Sequence, residues 1–596
     1  HVVKGRTMKK AIVIILVLVG LLAVGAAGIG ALYGIGRLVT RNRVPGTTIL
    51  EVNLETGFVE DVPNESVADV MFKGTPRVRD FVEALERAGD DDRVVGLIAT
   101  IGGGGQGMAV LQEFRDAVEA FRAKGKFALA FSETFGEAGP GNGGYYLATA
   151  FDEIWLQPSG DLGLTGLSAE PMFLRRALGK LGMTPHFDHR YEYKNAMNMF
   201  TETKMTDAHR EATTDLMNVQ FRQIVDGIAE ARKLSSDAVR ELFDGGPLLG
   251  EQALDAGLVD HMGYRDEAYA AMREHAGKRG RLLYLKKYLE MAGRPHTHGP
   301  TLALIYGVGP VQRGPSGYSA LFGSASMGSD TVAAAFRDAI KDDDVRGILF
   351  RVDSPGGSAV ASDVIWRQTI RARDAGKPVV VSMGNVAASG GYWISMDAAK
   401  IVAQPGTITS SIGVLSGKFL TAGFWDWLGI DWDGVYTSKQ GTLYDGLHDY
   451  SDLEWASFQE WLDRIYSDFT RKVAAGRDLP LERVKEIAKG RVWTGEEALD
   501  RGLVDALGGF PEAIRLLKEE IGIAADAPVT LRKFPKEKTT WQKLLSNDPA
   551  SSDELTARAL VSILRQVQPV AGGLRDVVVP PAAHGPVYAP VSPEVE

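Results

Sequence analysis

Gly250-Glu251-Gln252-Ala253-Leu254-Asp255-Ala256-Gly257-Leu258-Val259-Asp260 returns, 245 positions later, as Gly495-Glu496-Glu497-Ala498-Leu499-Asp500-Arg501-Gly502-Leu503-Val504-Asp505. The echo is not isolated. Gly143-Gly144-Tyr145-Tyr146 matches Gly390-Gly391-Tyr392-Trp393, and Gln157-Pro158 matches Gln404-Pro405, both at an offset of 247. Asp90–Ile98 matches Asp342–Leu349 in the same order. Matches in one order at near-constant spacing identify an internal duplication. The copies run from about Pro45 to Lys286 and from about Gly299 to Thr530.

Within each copy, short β-branched runs alternate with helical stretches. Gly347–Val352, Pro378–Ser382 and Lys400–Ala403 read as buried strands. Ser362–Ala375 reads as a helix that stops at Gly376, and Asp452–Ala475 as a long amphipathic helix. Strands alternating with helices predict an α/β fold with crossover connections.

The 596 residues are 45% apolar and 24% charged, values of an ordinary globular chain. Length alone predicts three or four domains at roughly 150 residues each, and the duplication replaces that count with two related units. A net charge of −10 argues against a nucleic-acid partner gripped through its phosphates. Cysteine is absent, which removes disulfides, thiolate metal sites and cysteine nucleophiles together. No cluster has metal-ligand spacing, so neither a metal nor a cofactor is expected.

Ala11–Gly36 carries no charge over 26 residues, and roughly 20 residues of helix already span a bilayer core. Basic residues flank it on both sides (Lys9 and Lys10; Arg37, Arg41 and Arg43) and leave its orientation open. A secretory signal peptide ending near Gly25-Ala26-Ala27 is the competing reading. The run continues through Ile29, Leu32 and Tyr33, which favours a retained transmembrane anchor. Met8-Lys9-Lys10 is a natural start, so residues 1–10 read as an N-terminal extension. Residues 531–596 form a C-terminal extension in which Pro and Ala accumulate and 580–596 reads as a disordered tail.

Two neighbouring segments carry candidate chemistry. Asp353-Ser354-Pro355-Gly356-Gly357-Ser358 closes a strand with residues that let backbone N–H groups face a cleft. Met383-Gly384-Asn385-Val386-Ala387-Ala388-Ser389-Gly390-Gly391-Tyr392 follows the next strand and opens a helix. Ser389, flanked by small residues at a helix start, is a candidate nucleophile beside backbone donors suited to an oxyanion. The plainer alternative is an N-cap serine. A serine nucleophile needs a base. The first histidine after it, His448, stands in an acidic stretch, so a Ser-His-Asp triad is poorly supported.

Taken together, Asp353–Ser358, Ala387–Tyr392, Thr407-Ile408-Thr409-Ser410-Ser411-Ile412-Gly413-Val414 and the repeat ending Gly495–Asp505 resemble the signal peptide peptidase A (protease IV) family in its long, tandem-repeat form. The resemblance covers residues 45 to 530 and the N-terminal run. It implies tandem ClpP/crotonase-like repeats and a Ser–Lys dyad. The family's serine corresponds to Ser389, and its base lysine, which lies in the first repeat, to Lys194 in Tyr191-Glu192-Tyr193-Lys194-Asn195-Ala196. Ser411 resembles the serine that orients that lysine. Backbone N–H groups of Gly357 and Gly390 are the expected oxyanion donors, with Gly356 supporting the turn.

The duplication bears on these assignments. At an offset of 247, Lys194 faces Gly441 and Ser389 faces Asn142. Ser354-Pro355-Gly356-Gly357 faces Gly103-Gly104-Gly105-Gln106 at an offset of 251. Each repeat thus keeps a different half of one dyad. Spacing alone leaves open whether the halves meet within one chain or between subunits.

The resemblance further implies apolar peptide substrates such as signal-peptide remnants, a homotetramer, and a single-pass protein of the bacterial inner membrane with its bulk on the extracytoplasmic side. Two alternatives belong to other classes. One is a catalytically silent membrane-anchored scaffold or peptide-binding protein on the same fold. The other is a crotonase-like acyl-CoA enzyme, which has no use for a serine nucleophile or an anchor.

Overall fold

The computed structural model describes residues 43–61, 72, 74–277, 279–319 and 324–535, and the short strand Val587–Tyr588. The expected anchor at 11–36, and the C-terminal extension apart from its first residues and that strand, lie outside the described residues. Among the described residues no helix is long and apolar enough to cross a membrane.

The first repeat builds a six-stranded sheet in the order His261–Met262, Glu153–Leu156, Phe127–Ser132, Val94–Thr100, Thr48–Asn53, Arg281–Tyr284. All of its pairings are parallel. The second repeat's sheet runs Val492–Thr494, Ile408–Ser410, Val379–Ala388, Val345–Ser354, Thr301–Val308, Thr530–Phe534, with Lys400–Ala403 joined to Val379–Ala388. Here only the Ile408–Ser410 and Val492–Thr494 pair is antiparallel. Crossover helices match one for one: Val78–Gly89 with Ser329–Lys341, Met108–Ala123 with Ala359–Asp374, and Asn142–Ala148 with Gly390–Trp393. Parallel strands buried on both faces explain why the sequence shows continuous apolar runs rather than alternation.

The repeated motifs recur because they make the same contacts. The Tyr145 hydroxyl donates to the Leu258 carbonyl at 2.6 Å, and the Tyr392 hydroxyl to the Leu503 carbonyl at 2.9 Å. Asp260 accepts the Ile154 amide at 2.8 Å, and Asp505 the Ile401 amide at 2.7 Å. Each aspartate also holds an arginine from the end of the long helix before it: Arg232 at 2.8 Å and Arg477 at 2.7 Å. The Gly-Leu-Val-Asp ending is therefore a clasp between the last helix turns and the sheet edge.

Helix Asp452–Gly476 starts where a capping box predicts: Ser451 Oγ accepts the Glu454 amide and the Glu454 carboxylate takes the Ser451 amide. Lys400–Ala403 is the strand expected from sequence. Pro378–Ser382 proves too short, since its strand runs on to Ala388 and reaches Ser389 directly.

The repeats share a charged junction as well as an apolar core. Arg351 is fully buried and holds both oxygens of Glu60 at 2.6 and 2.9 Å and Glu113 Oε2 at 2.8 Å. A second link is an arm: Thr184–His189 of the first repeat pairs antiparallel with Leu415–Leu420 of the second. This arm positions the site.

Candidate active site

Ser389 stands where the strand Val379–Ala388 meets a single helical turn, Gly390–Trp393. Its backbone is held at φ 55° and ψ −115°, a conformation L-residues adopt only when the surroundings enforce it. The Ser389 amide donates to the Ser410 carbonyl at 2.7 Å, which pins the turn. The side chain makes no capping bond to the helix, so the N-cap alternative does not describe it. Its Oγ is buried against an amine instead.

That amine is Lys194. Its Nζ lies 2.7 Å from Ser389 Oγ, 3.0 Å from the Ser411 carbonyl and 3.1 Å from Ser411 Oγ. Both residues belong to one chain. The arm explains the meeting: after strand Thr184–His189, the Arg190 amide donates to the Val414 carbonyl and the Tyr193 amide to the Lys489 carbonyl, delivering Lys194 beside Ser411. Arg491 fastens the same corner. Its carbonyl accepts the Ser411 amide, and its guanidinium bonds Glu211 and Asp215 of the first repeat.

Lys194 is 1% exposed, and burial alone pushes its amine well below the usual lysine range. A neutral amine has two N–H donors and one lone pair. The two Ser411 oxygens take the donors, which leaves the lone pair for the Ser389 hydroxyl proton. Ser411 Oγ in turn donates to the Gly490 carbonyl at 3.3 Å, so it is free to accept from Nζ.

Gly490 belongs to this pocket and was invisible in the sequence. A Cβ there would lie 2.5 Å from Lys194 Cβ and 2.6 Å from its backbone nitrogen. Its local sequence, Lys489-Gly490-Arg491, reads only as a turn after a helix; nothing in it signals a lysine pocket.

The turn Gly356–Gly357 packs against Gly390, the residue that follows the serine. The two glycines adopt φ 99° and 154°, where side chains are strained. A Cβ on Gly390 would fall 3.0 Å from the Gly357 nitrogen and 3.1 Å from Gly356 Cα, so the two expected donor residues are packed against each other. The Ser354 side chain accepts the Gly356 amide at 3.2 Å and donates to the Gly309 carbonyl at 2.7 Å, bracing the turn. Residues 587–588 lie antiparallel to Gly356–Gly357, so this short strand presents an edge that takes an extended backbone.

No histidine bonds to Ser389 among the described residues. His448 is exposed and bound to Asp445. Among the described residues no group of three or more His, Asp or Glu side chains is placed to hold a metal ion.

The model of peptidase family S49 matches residues 134–279 and 371–524, one segment in each repeat. The chain belongs to peptidase family S49. As in that family, it is a serine protease, and its two matched segments make it a tandem member. Protease 4 of Salmonella typhi is 32% identical over 447 residues, covering 73% of this chain and 70% of the relative. Protease 4 of Haemophilus influenzae is 30% identical over 466 residues, 76% and 74% of the two chains. The chloroplastic serine protease SPPA of Arabidopsis thaliana is 29% identical over 472 residues, 78% and 68% of the two. In this S49 chain the first matched segment contains Lys194 and the second contains Ser389 and Ser411.

Proposed function

We propose that the chain is a membrane-anchored endopeptidase in which Ser389 is the nucleophile and Lys194 the general base, acting on extended apolar peptides such as cleaved signal peptides. The observation that carries this reading is the 2.7 Å contact between the buried amine and the serine hydroxyl.

Ser389 Oγ attacks the scissile carbonyl as its proton passes to Lys194 Nζ. The oxyanion that forms accepts N–H bonds from Gly357 and Gly390. Lys194, now an ammonium, gives the proton to the departing amine, and the C–N bond breaks to leave an acyl-Ser389. Neutral Lys194 then takes a proton from water, whose oxygen attacks the ester; the ester C–O bond breaks as Lys194 returns that proton to Ser389 Oγ, freeing the acid product and restoring both groups. Ser411 keeps the amine aimed throughout. The edge of Gly356–Gly357, which residues 587–588 occupy as an antiparallel strand, supports a peptide substrate bound in the same way, held by its backbone. Assembly as a homotetramer, and extracytoplasmic placement by residues 11–36, belong to the same reading.

The test is cleavage of an internally quenched apolar peptide by the purified chain in detergent at alkaline pH. Ser389→Ala and Lys194→Ala are each expected to reduce turnover to background. Full activity in either variant rejects the dyad, and an inert wild type supports the silent scaffold instead.

A further inference from the structure

The strand that ends at Ser389 does not pair evenly with its neighbour. From Ile348↔Val379 to Val352↔Met383 the two strands run in step, but the next pair is Ser354↔Ala387. Gly384, Asn385 and Val386 therefore stand opposite Asp353 alone. In step, Ser389 would lie level with Ser358. The bulge draws it back two residues, to the level of Gly356. At about 3.3 Å per residue this is a displacement of roughly 6–7 Å, far more than the misplacement of about 1 Å that already costs roughly 10²-fold in rate.

A bulge leaves backbone groups without ladder partners. Asp353 supplies one: its Oδ1 accepts the Val386 amide at 2.9 Å. Gly384 makes room for that carboxylate, since a Cβ there would lie 2.9 Å from Asp353 Cβ and 3.0 Å from its Cγ. The first repeat offers an internal comparison. At the offset that aligns Ser354 with Gly103, Asp353 faces Gly102, and that repeat's strand pairing ends at Thr100↔Phe131 without a register shift. Carboxylate and bulge accompany the serine in one repeat, whereas in the other Gly102 and Asn142 stand in place of the carboxylate and the serine.

The geometry points to Asp353 as a positioning residue: its carboxylate fills the bulge opposite Gly384–Val386 and so fixes the register in which Ser389 meets the Gly356–Gly357 turn. What matters is an acceptor oxygen at that place.

This assignment rests on Ser389 being the nucleophile, and the experiment separates the two. Asp353→Asn, Asp353→Ala and Ser389→Ala are compared in kcat, KM and labelling by a small fluorophosphonate. Asparagine keeps an acceptor where Oδ1 sits, so Asp353→Asn should hold kcat within about 10-fold. Asp353→Ala should lose roughly 10²-fold in kcat, as for a lost oxyanion donor, with KM little changed and labelling slowed in parallel. Gly384→Ala, which pushes the carboxylate aside, should copy Asp353→Ala. If Asp353→Ala does not fold, Asp353→Asn decides: retained kcat supports the assignment and a 10²-fold loss overturns it. Equal losses in both Asp353 variants, or a fully active Asp353→Ala, also overturn it. An active Ser389→Ala would instead reject the nucleophile itself.

Discussion

Lys194 Nζ meets Ser389 Oγ at 2.7 Å across the junction of two repeats, 195 residues apart in the chain. In the proposed mechanism this amine serves as a base only because it can be neutral. Lys194→Arg puts a permanent cation in the same pocket, since guanidinium does not lose its proton in proteins. Turnover should fall to the Ser389→Ala level, and thermal stability should fall too, because the buried charge has no carboxylate partner there. Lys194→Met should be equally inactive but better folded. Peptide cleavage and thermal unfolding of the two variants check this, and an active Lys194→Arg chain would contradict it.

The same burial sets a pH dependence. Unfolded Lys194 titrates near its ordinary value of about 10.4, while the folded amine titrates well below it. Between those two values the unfolded chain holds a proton that the folded one lacks, so stability rises with pH through that window. With Lys194 as the proposed base, activity should rise through the folded pKa as the amine loses its proton. Asp353 has the opposite sign. Burial, reinforced by the charge of Glu60 and opposed by Arg351 and the bulge amides, pushes its carboxyl from 3.8 up to about 6. The folded state then holds the extra proton, and stability falls as pH rises from 3.8 to about 6. Denaturant titrations across pH should show the alkaline slope reduced in Lys194→Met and the acidic slope reduced in Asp353→Asn. Slopes equal to wild type in both would contradict these assignments.

What could be read in advance follows from where the physics is local. The repeat and its α/β order were legible because buried parallel strands and helix stops leave a mark in neighbouring residues, as at Lys400–Ala403 and Gly376. Small neighbours at a helix start marked Ser389 as a candidate nucleophile, with an N-cap serine as the local alternative. Nothing local marked Lys194: a lysine in a turn is ordinarily solvated, and only the family resemblance and the repeat register singled it out. Gly490 and Arg491, and Glu60 beneath Arg351, were not legible, because each acts through a partner hundreds of residues away; the bulge was not, because Asp353, which fills it, stands on a different strand. The strand ending at Ser389 was cut short at Ser382 for the same reason, since Gly384-Asn385 looks like a turn unless Asp353 is there to fill it.

Arg351 supplies a test of how the repeats are joined. It is enclosed by Glu60, Glu113 and Ser382, its guanidinium lies 4.6 Å from the Phe510 ring centroid, and Glu113 Oε1 also accepts the Phe510 amide at 2.7 Å. Removing the cation alone strands two buried carboxylates. Arg351→Met should cost about 3–5 kcal/mol, the usual range for breaking a buried ion pair from one side. Replacing Glu60 by Gln in the same chain should recover part of that loss, because one stranded charge is gone. Urea unfolding of the two single variants and the double variant measures the coupling. Additive losses would mean that Arg351 and Glu60 stabilise the junction independently.

Asn385 turns the bulge outward to the other repeat. Helix Met108–Ala123 begins at Gly107, which has no side chain to accept its first amides. Asn385 Oδ1 accepts the Val110 amide at 3.1 Å and so caps that helix from the second repeat. A lost N-cap acceptor typically costs about 1 kcal/mol, so Asn385→Ala should lower stability by about that much. Asn385→Asp should restore it, since a carboxylate at a helix N-terminus also accepts these amides and favours the dipole. Because Asp353 still fills the bulge, kcat should stay within about 3-fold of wild type in both. Urea midpoints and peptide kinetics measured side by side check the separation: a large fall in kcat without loss of stability would make Asn385 part of the serine's positioning rather than of the junction.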